Sequence, residues 1–180
     1  MKNILLDASS AILLFKAALF DALLSVYQVS WTQSVLQELI RGNQCGAETF
    51  RRYSTGFGER IVALQRGPFP AIKTHQELKG LDLGESDTIR CFATGGWDFI
   101  ITDDGGAAKY CLKHDIPFVN ALLFPRLLYL GMRISLADSH DKMAELIGLG
   151  RYSREVIDRA ANSRKESLLF AIPGICGIDK

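Results

Sequence analysis

The chain has 180 residues, which indicates one globular domain, because domains usually contain about 100–200 residues. Hydrophobic residues make up 48% and charged residues 23%, a balance that supplies a packed core and excludes a disordered chain. The net charge of +1 excludes a global positive field, so an anionic partner would need a local basic patch or a bound cation.

The apolar segments near the start of the chain are too short for a membrane span or a secretory signal. The longest, residues 11–26, is interrupted by Lys16 and Asp21 and falls short of the roughly 18 residues that a transmembrane helix needs. The apolar run before Asp7 is too short for the hydrophobic region of a signal peptide. We therefore expect no membrane partner and a cytoplasmic location.

The first forty residues predict two short strands, each followed by a helix. Residues 4–6 form a continuously apolar run that ends at Asp7, which is typical of a buried strand, and the apolar segment 11–24 follows as a helix. Residues 27–30 predict a second strand. Thr32 can then cap a helix that runs to Ile40, ends before Gly42 and carries Glu38.

The middle of the chain has a weaker pattern. Residues 47–64 are helical in pattern but are interrupted by Gly56 and Gly58, and Arg51 and Arg52 indicate a partly exposed face. Residues 71–74 predict a short strand or an extended linker. A clearer helix begins near Glu85 and closes at residues 95–96, which are both glycine.

The second half of the chain repeats the opening pattern of strand, acidic turn and helix. Residues 99–102 predict a strand that ends at Asp103 and Asp104, with a helix over residues 107–112. Residues 117–119 predict another strand, and helices are expected over 121–130, 139–147 and 153–170. Strands that alternate with helices predict an α/β fold with a mostly parallel sheet.

Acidic residues follow the predicted strands or begin the next helices. Each has an ordinary structural explanation: Asp7 as a helix cap, one of Asp103 and Asp104 in a turn, and Glu85 at a helix N-terminus. In a parallel sheet, however, the carboxyl ends of the strands share one edge, where ligands bind. Oxygen ligands without a His or Cys cluster favour Mg²⁺ or Mn²⁺, and such a site suits phosphodiester hydrolysis.

Four short segments, taken in order, resemble the PIN domain nucleases. They are ILLDAS at residues 4–9, VLQEL at 35–39, LGESDTI at 83–89 and IITDD at 100–104, and the resemblance spans about residues 4–120. It implies a three-layer α/β/α sandwich that uses Mg²⁺ or Mn²⁺ to hydrolyse RNA, often as the toxin of a toxin–antitoxin pair. An antitoxin protein and a homodimer are further expectations of this resemblance.

The resemblance also implies roles for the acidic residues. Asp7, Glu85 and Asp104 correspond to metal-binding acids, and Glu38 corresponds to the helical acid that completes the catalytic set. The register of the last acid stays open, because the Thr-x-Asp spacing selects Asp104 whereas the end of the strand selects Asp103.

Further residues are candidates for contact with substrate. Ser9 and Thr102 lie beside the predicted acids, Lys109 is a candidate phosphate contact, and Arg51 and Arg52 could hold RNA phosphates. Asp87, two residues after Glu85, is expected to point away from the site as a solvated surface charge.

The expected organisation is a PIN-like nuclease domain over residues 1–134, with a C-terminal helical extension over residues 135–180 packed on the same domain. Two other functions stay open. One is a non-catalytic PIN-like or receiver-like module that binds metal and a partner. The other is an aspartate-based phosphohydrolase, which would need a second acid two residues after Asp7, where this chain has Ser9.

Overall fold

Five parallel strands run through the centre of the molecule, in a computed structural model that describes residues 1–42, 45–56, 61–64 and 77–174. Their order across the sheet is β3-β2-β1-β4-β5, and each neighbouring pair is parallel. The strands are β1 (Lys2–Leu6), β2 (Tyr27–Thr32), β3 (Ile61–Leu64), β4 (Phe99–Ile101) and β5 (Phe118–Val119).

Helices connect and flank these strands. In the described part of the chain they are α1 (Ala8–Lys16), α2 (Phe20–Val26), α3 (Gln33–Leu39), α4 (Ala47–Gly56), α5 (Leu83–Phe92), α6 (Gly105–Lys113), α7 (Phe124–Leu130), α8 (Leu136–Leu149), α9 (Arg154–Asn162) and α10 (Lys165–Leu168). Short 3-10 turns at Glu77–Gly80 and Ala121–Leu123 precede α5 and α7. The expected α/β class with a parallel sheet is confirmed.

The alternation of side chains along β1 produces two hydrophobic cores. Ile4 and Leu6 pack on one face of the sheet with residues of α1, α2, α7 and α8. Leu5 points to the other face and packs with residues of α5 and α6. Because successive strand residues face opposite sides, one short strand can hold helices against both faces. The arrangement is compatible with a three-layer α/β/α sandwich.

The order of the strands creates a switch point between β1 and β4. The chain builds outward from β1 to β2 and β3, and then returns to the other side of β1 for β4 and β5. Leu6 lies opposite Ile101, so β1 and β4 end at the same level. In open α/β sheets, ligands bind outside the carboxyl ends of the strands at such a switch point.

The C-terminal helices belong to the same hydrophobic core as the first strand. Met143 and Leu146 of α8, Ala160 of α9 and Leu168 of α10 are buried in the cluster that contains Ile4. The region from residue 135 onward therefore packs on the sheet domain up to the last described residue.

The helices and strands differ from those predicted from the sequence in three places. Residues 61–64 form strand β3 rather than the end of a helix, and α4 ends at Gly56. The predicted helix over residues 11–24 is two helices that bend by 114° around Ala18, which has a φ of 53°. The predicted helix over residues 153–170 is also two, α9 and α10.

These differences arise from long-range packing. A four-residue apolar run fits a strand or a helix equally well, and pairing with β2 makes residues 61–64 a strand. The break at Ala18 lets Leu14 and Phe20 both enter the core. The segment predicted as a strand or linker over residues 71–74 lies outside the described residues.

No single described helix is long and apolar enough to cross a membrane. Helices α1 and α2 together satisfy the length and composition of a span, but they are bent by 114° relative to each other.

Candidate functional site

Five carboxylates gather at the carboxyl edge of the sheet, close to the switch point. Four segments of the chain supply them: the end of β1, helix α3, the start of α5 and the end of β4. Their charges act on one another, since Asp82 raises the pKa of three of the other members. This group is the acidic cluster: Asp7, Glu38, Asp82, Glu85 and Asp104.

Asp7 is a buried carboxylate whose negatively charged form is disfavoured by its surroundings. Its side chain is 4% exposed, and it occupies the N-cap position of α1 without making a capping hydrogen bond. It accepts hydrogen bonds instead from the Ser9 hydroxyl at 2.5 Å and the Thr102 hydroxyl at 3.4 Å. Burial raises the pKa of Asp7 to about 6, the Ser9 bond opposes this shift, and the charges of Asp82 and Asp103 add to it.

Glu38 reaches the site from α3 and lies against the start of α5. A Cβ atom at Gly84 would stand 2.5 Å from the Glu38 Oε1 atom, so a larger residue there would force this carboxylate to move. Burial, with the charges of Asp82 and Asp7, raises the pKa of Glu38 to about 7, while the Gly84 amide and Arg41 oppose the rise. Gly84 thus leaves space for the Glu38 carboxylate, and the following residue, Glu85, supplies a second carboxylate.

Glu85 and Asp82 form a capping box at the start of α5. The Glu85 amide donates to Asp82 Oδ1 at 2.9 Å, and the Asp82 amide donates to Glu85 Oε2 at 3.1 Å. Burial raises the pKa of Glu85 to about 8, the Asp82 amide opposes this, and the charges of Asp104, Asp82 and Asp7 add to it. Asp82 was not among the acids predicted for the site, although its spacing of three residues before Glu85 is the sequence signature of a capping box.

Thr102 connects the acids at the ends of β1 and β4. Its buried hydroxyl donates to Asp7 and accepts from the Asp104 amide at 3.2 Å. Asp104 in turn caps α6 by accepting from the Ala107 amide at 2.7 Å through Oδ1. One hydroxyl therefore links the Asp7 carboxylate to the backbone of Asp104. The substrate contact predicted for Thr102 stays a prediction.

The two adjacent aspartates after β4 have different surroundings. Asp103 accepts from the Ser10 hydroxyl at 2.6 Å, the Ala121 amide at 2.9 Å and the Tyr152 hydroxyl at 2.6 Å. Burial raises the pKa of Asp103, and these hydrogen bonds oppose the rise. Asp103 thus ties β4 to α1 and to the C-terminal region, whereas the Asp104 carboxylate caps α6 and its charge acts on Glu85. No local sequence signal indicated the contact with Tyr152, which is 49 residues away.

The predicted substrate contacts other than Thr102 lie on exposed surfaces. Ser9 is exposed, but its hydroxyl already donates a hydrogen bond to Asp7. Arg51 and Arg52 are exposed on α4, where Arg51 forms an ion pair with Glu48 of the same helix. Lys109 is exposed on α6. No described contact joins Arg51, Arg52 or Lys109 to the acidic cluster, so their substrate roles stay predictions.

The expectation for Asp87 is wrong. The side chain is 2% exposed and accepts from the Ser34 hydroxyl at 2.8 Å and from Arg90 at 3.3 Å. Helix α5 turns this residue toward α3 rather than toward solvent, because α3 and α5 pack side by side. Asp87 is therefore a buried structural acid with partners of its own.

The chemistry of the acidic cluster fits a hard divalent cation. Every donor is a carboxylate oxygen, the type that Mg²⁺ and Mn²⁺ prefer. The raised pKa values of Asp7, Glu38 and Glu85 mean that their negative charge is poorly compensated in the protein alone. In the described ranges, no three acidic, His or Cys side chains already have the spacing of a coordination shell.

Comparisons of the chain with family models, with curated proteins and with solved structures found no match.

Proposed function

We propose that the chain is a Mg²⁺- or Mn²⁺-dependent endoribonuclease of the PIN type, with the acidic cluster as its active site. One observation carries this proposal: acids from four separate segments meet at the switch point of a parallel sheet, where burial and the charges of neighbouring carboxylates raise the pKa values of Asp7, Glu38 and Glu85. Such crowding reduces the stability of the fold, and it is useful where a cation or a proton must be bound.

In this proposal Asp7, Glu85 and Asp104 would hold the metal. A cation bound there would offset the negative charge of a phosphodiester and would lower the pKa of a water molecule. Ser9 and Thr102 keep the Asp7 carboxylate oriented through their hydroxyl groups. Glu38, with a pKa of about 7 in the metal-free protein, can accept a proton near neutral pH.

The choice of RNA as substrate comes from the resemblance of the four acidic segments to PIN nucleases. Exposed cationic side chains on α4 and α6, namely Arg51, Arg52 and Lys109, supply groups that could contact phosphates. A protein antitoxin that covers the acidic cluster, a homodimer and a cytoplasmic setting belong to the same proposal.

The first test is titration calorimetry with Mn²⁺, which needs no knowledge of the RNA target. Wild type should bind Mn²⁺ saturably, and Asp7→Asn and Glu85→Gln should each weaken binding at least tenfold. Glu145→Gln is the matched control, because Glu145 lies on α8 and pairs with Lys142 away from the acidic cluster. Binding that is equal in all four proteins would refute the metal site.

The second test is cleavage of a pool of single-stranded RNAs with Mn²⁺ or Mg²⁺. We expect internal cleavage by wild type and by Glu145→Gln, and loss of cleavage in Asp7→Asn with the fold retained. If Asp7→Asn cleaves RNA as fast as wild type, the assignment of the active site is wrong. If Mn²⁺ binds at the predicted residues and no RNA in the pool is cleaved, the non-catalytic metal-binding module becomes the better description.

A further inference from the structure

A cavity of about 440 Å³ lies beside the acidic cluster, on the side of β4 and β5. Its floor is formed by the residues that follow the two strands, including Asp104 and Asn120. One wall comes from α6, and the opposite wall comes from α9 and the residues that precede it. The C-terminal region therefore adds a wall to the sheet edge and forms a partly open pocket of the size that small organic ligands occupy.

The walls of the cavity combine apolar surface with a few polar groups. Leu112, Phe118, Leu123 and Val156 supply apolar contacts. The Asn120 Oδ1 atom accepts from the Leu123 amide at 3.1 Å, so the amide NH₂ group of Asn120 can donate to a ligand. Apolar surface with one or two directed hydrogen-bonding groups is suited to a heterocycle such as a nucleobase.

Positive charge lies on the α9 side of the cavity. Arg151 and Arg159 both line it, and both are exposed. Arg159 pairs with Glu155 at 2.7 Å, whereas the Arg151 guanidinium forms no ion pair with any carboxylate of the described segments. Since the acidic cluster next door repels phosphate, cationic groups across the cavity would favour an anionic ligand that the carboxylates alone would reject.

The position of Asp104 connects the cavity to the proposed chemistry. This residue lines the cavity and also acts on the charge of Glu85 in the acidic cluster. A ligand in the cavity would thus lie next to Asp104, which is one of the acids that would hold the metal. A nucleotide chain is extended and carries a phosphate beside each base, so it can occupy both places at once.

We propose that this cavity is a nucleotide subsite that takes one base of single-stranded RNA beside the phosphate to be cleaved, with Arg151 and Arg159 on the flanking phosphate. The proposal rests on the proposed nuclease function. It assigns a role to the C-terminal region from residue 151 to residue 163, which is to select the base next to the cleaved bond.

The test measures binding of the four nucleoside 5′-monophosphates and of inorganic phosphate to the full chain in EDTA, by calorimetry or NMR titration. Without metal, the readout does not depend on cleavage. Wild type should bind at least one nucleotide more than tenfold tighter than inorganic phosphate. Arg151→Ala should weaken this binding about tenfold, and Ala108→Trp should abolish it by filling the cavity.

The matched control is Arg154→Ala. Arg154 lies in the first turn of α9 and does not line the cavity, so the substitution removes a positive charge nearby without changing the cavity wall. This variant should bind nucleotides within twofold of wild type. Thermal unfolding would verify that Ala108→Trp is folded, and Arg151→Ala provides an independent test because it alters only an exposed side chain.

The outcomes separate the subsite from the nuclease function. Nucleotide binding that both substitutions weaken supports the subsite, even if no RNA is cleaved and the nuclease proposal fails. Binding of inorganic phosphate as tight as that of every nucleotide, or nucleotide binding that ignores both substitutions, overturns the subsite even if the acidic cluster cleaves RNA. A lack of binding by all four nucleotides overturns it as well.

Discussion

Replacement of Asp7 by asparagine should stabilise the metal-free protein, although Asp7 is among its most buried polar residues. Burial raises the pKa of this carboxyl from 3.8 to about 6, so the folded state holds a proton more tightly than the unfolded state. Folding stability therefore falls as the pH rises from about 4 to about 6, and the full penalty is present above pH 6. Asparagine carries no charge and avoids this penalty.

The size of the effect follows from the two pKa values. The difference between 3.8 and about 6 corresponds to about 3 kcal/mol at 1.36 kcal/mol per pKa unit. Asparagine accepts weaker hydrogen bonds than a carboxylate from Ser9 and Thr102, a loss of about 1 kcal/mol. We expect Asp7→Asn to raise the free energy of unfolding by about 2 kcal/mol at pH 8, and the gain to vanish near pH 4.

The assay is urea unfolding in EDTA at pH 8 and pH 4.5, followed by circular dichroism. Asp87→Asn is the matched control. Asp87 is similarly buried, but it accepts hydrogen bonds from Ser34 and from the positively charged Arg90, whereas Asp7 has only hydroxyl partners among the described side chains. Asp87→Asn should lower stability by about 2 kcal/mol at pH 8, because it leaves Arg90 without its partner. If Asp7→Asn is destabilised as strongly as Asp87→Asn at pH 8, Asp7 is a structural acid and the reasoning fails.

Three further predictions test the site and its supports. Gly84→Ala should displace Glu38 and weaken Mn²⁺ binding about tenfold by calorimetry, whereas Gly148→Ala, which has open space on α8, should leave binding unchanged. Tyr152→Phe should lower stability by about 1–2 kcal/mol in urea unfolding, because Asp103 loses a hydrogen bond, and an unchanged midpoint would contradict this. Mn²⁺ should raise the unfolding temperature more at pH 8 than at pH 6, because protons compete for the acidic cluster; equal shifts would count against these carboxylates as ligands.

Local pattern was sufficient for much of the architecture. The short apolar runs before Asp7 and Asp103 predicted β1 and β4, and the structure has both strands, with Thr32 capping α3 as expected. Strand and helix periodicities depend on neighbouring residues, and parallel strands bring their carboxyl ends to one edge. The sequence therefore indicated that acids from distant segments would lie at the same edge of the sheet.

Only the tertiary structure decided which acidic side chains lie in the candidate site and which are held by structural partners. Residues 61–64 became a strand through pairing with β2, Asp87 is buried through packing of α5 against α3, and Asp103 accepts a hydrogen bond from Tyr152. Each outcome depends on a partner far away in sequence. Local propensities differ by about 1 kcal/mol or less, so a single long-range hydrogen bond or packed contact is enough to override them.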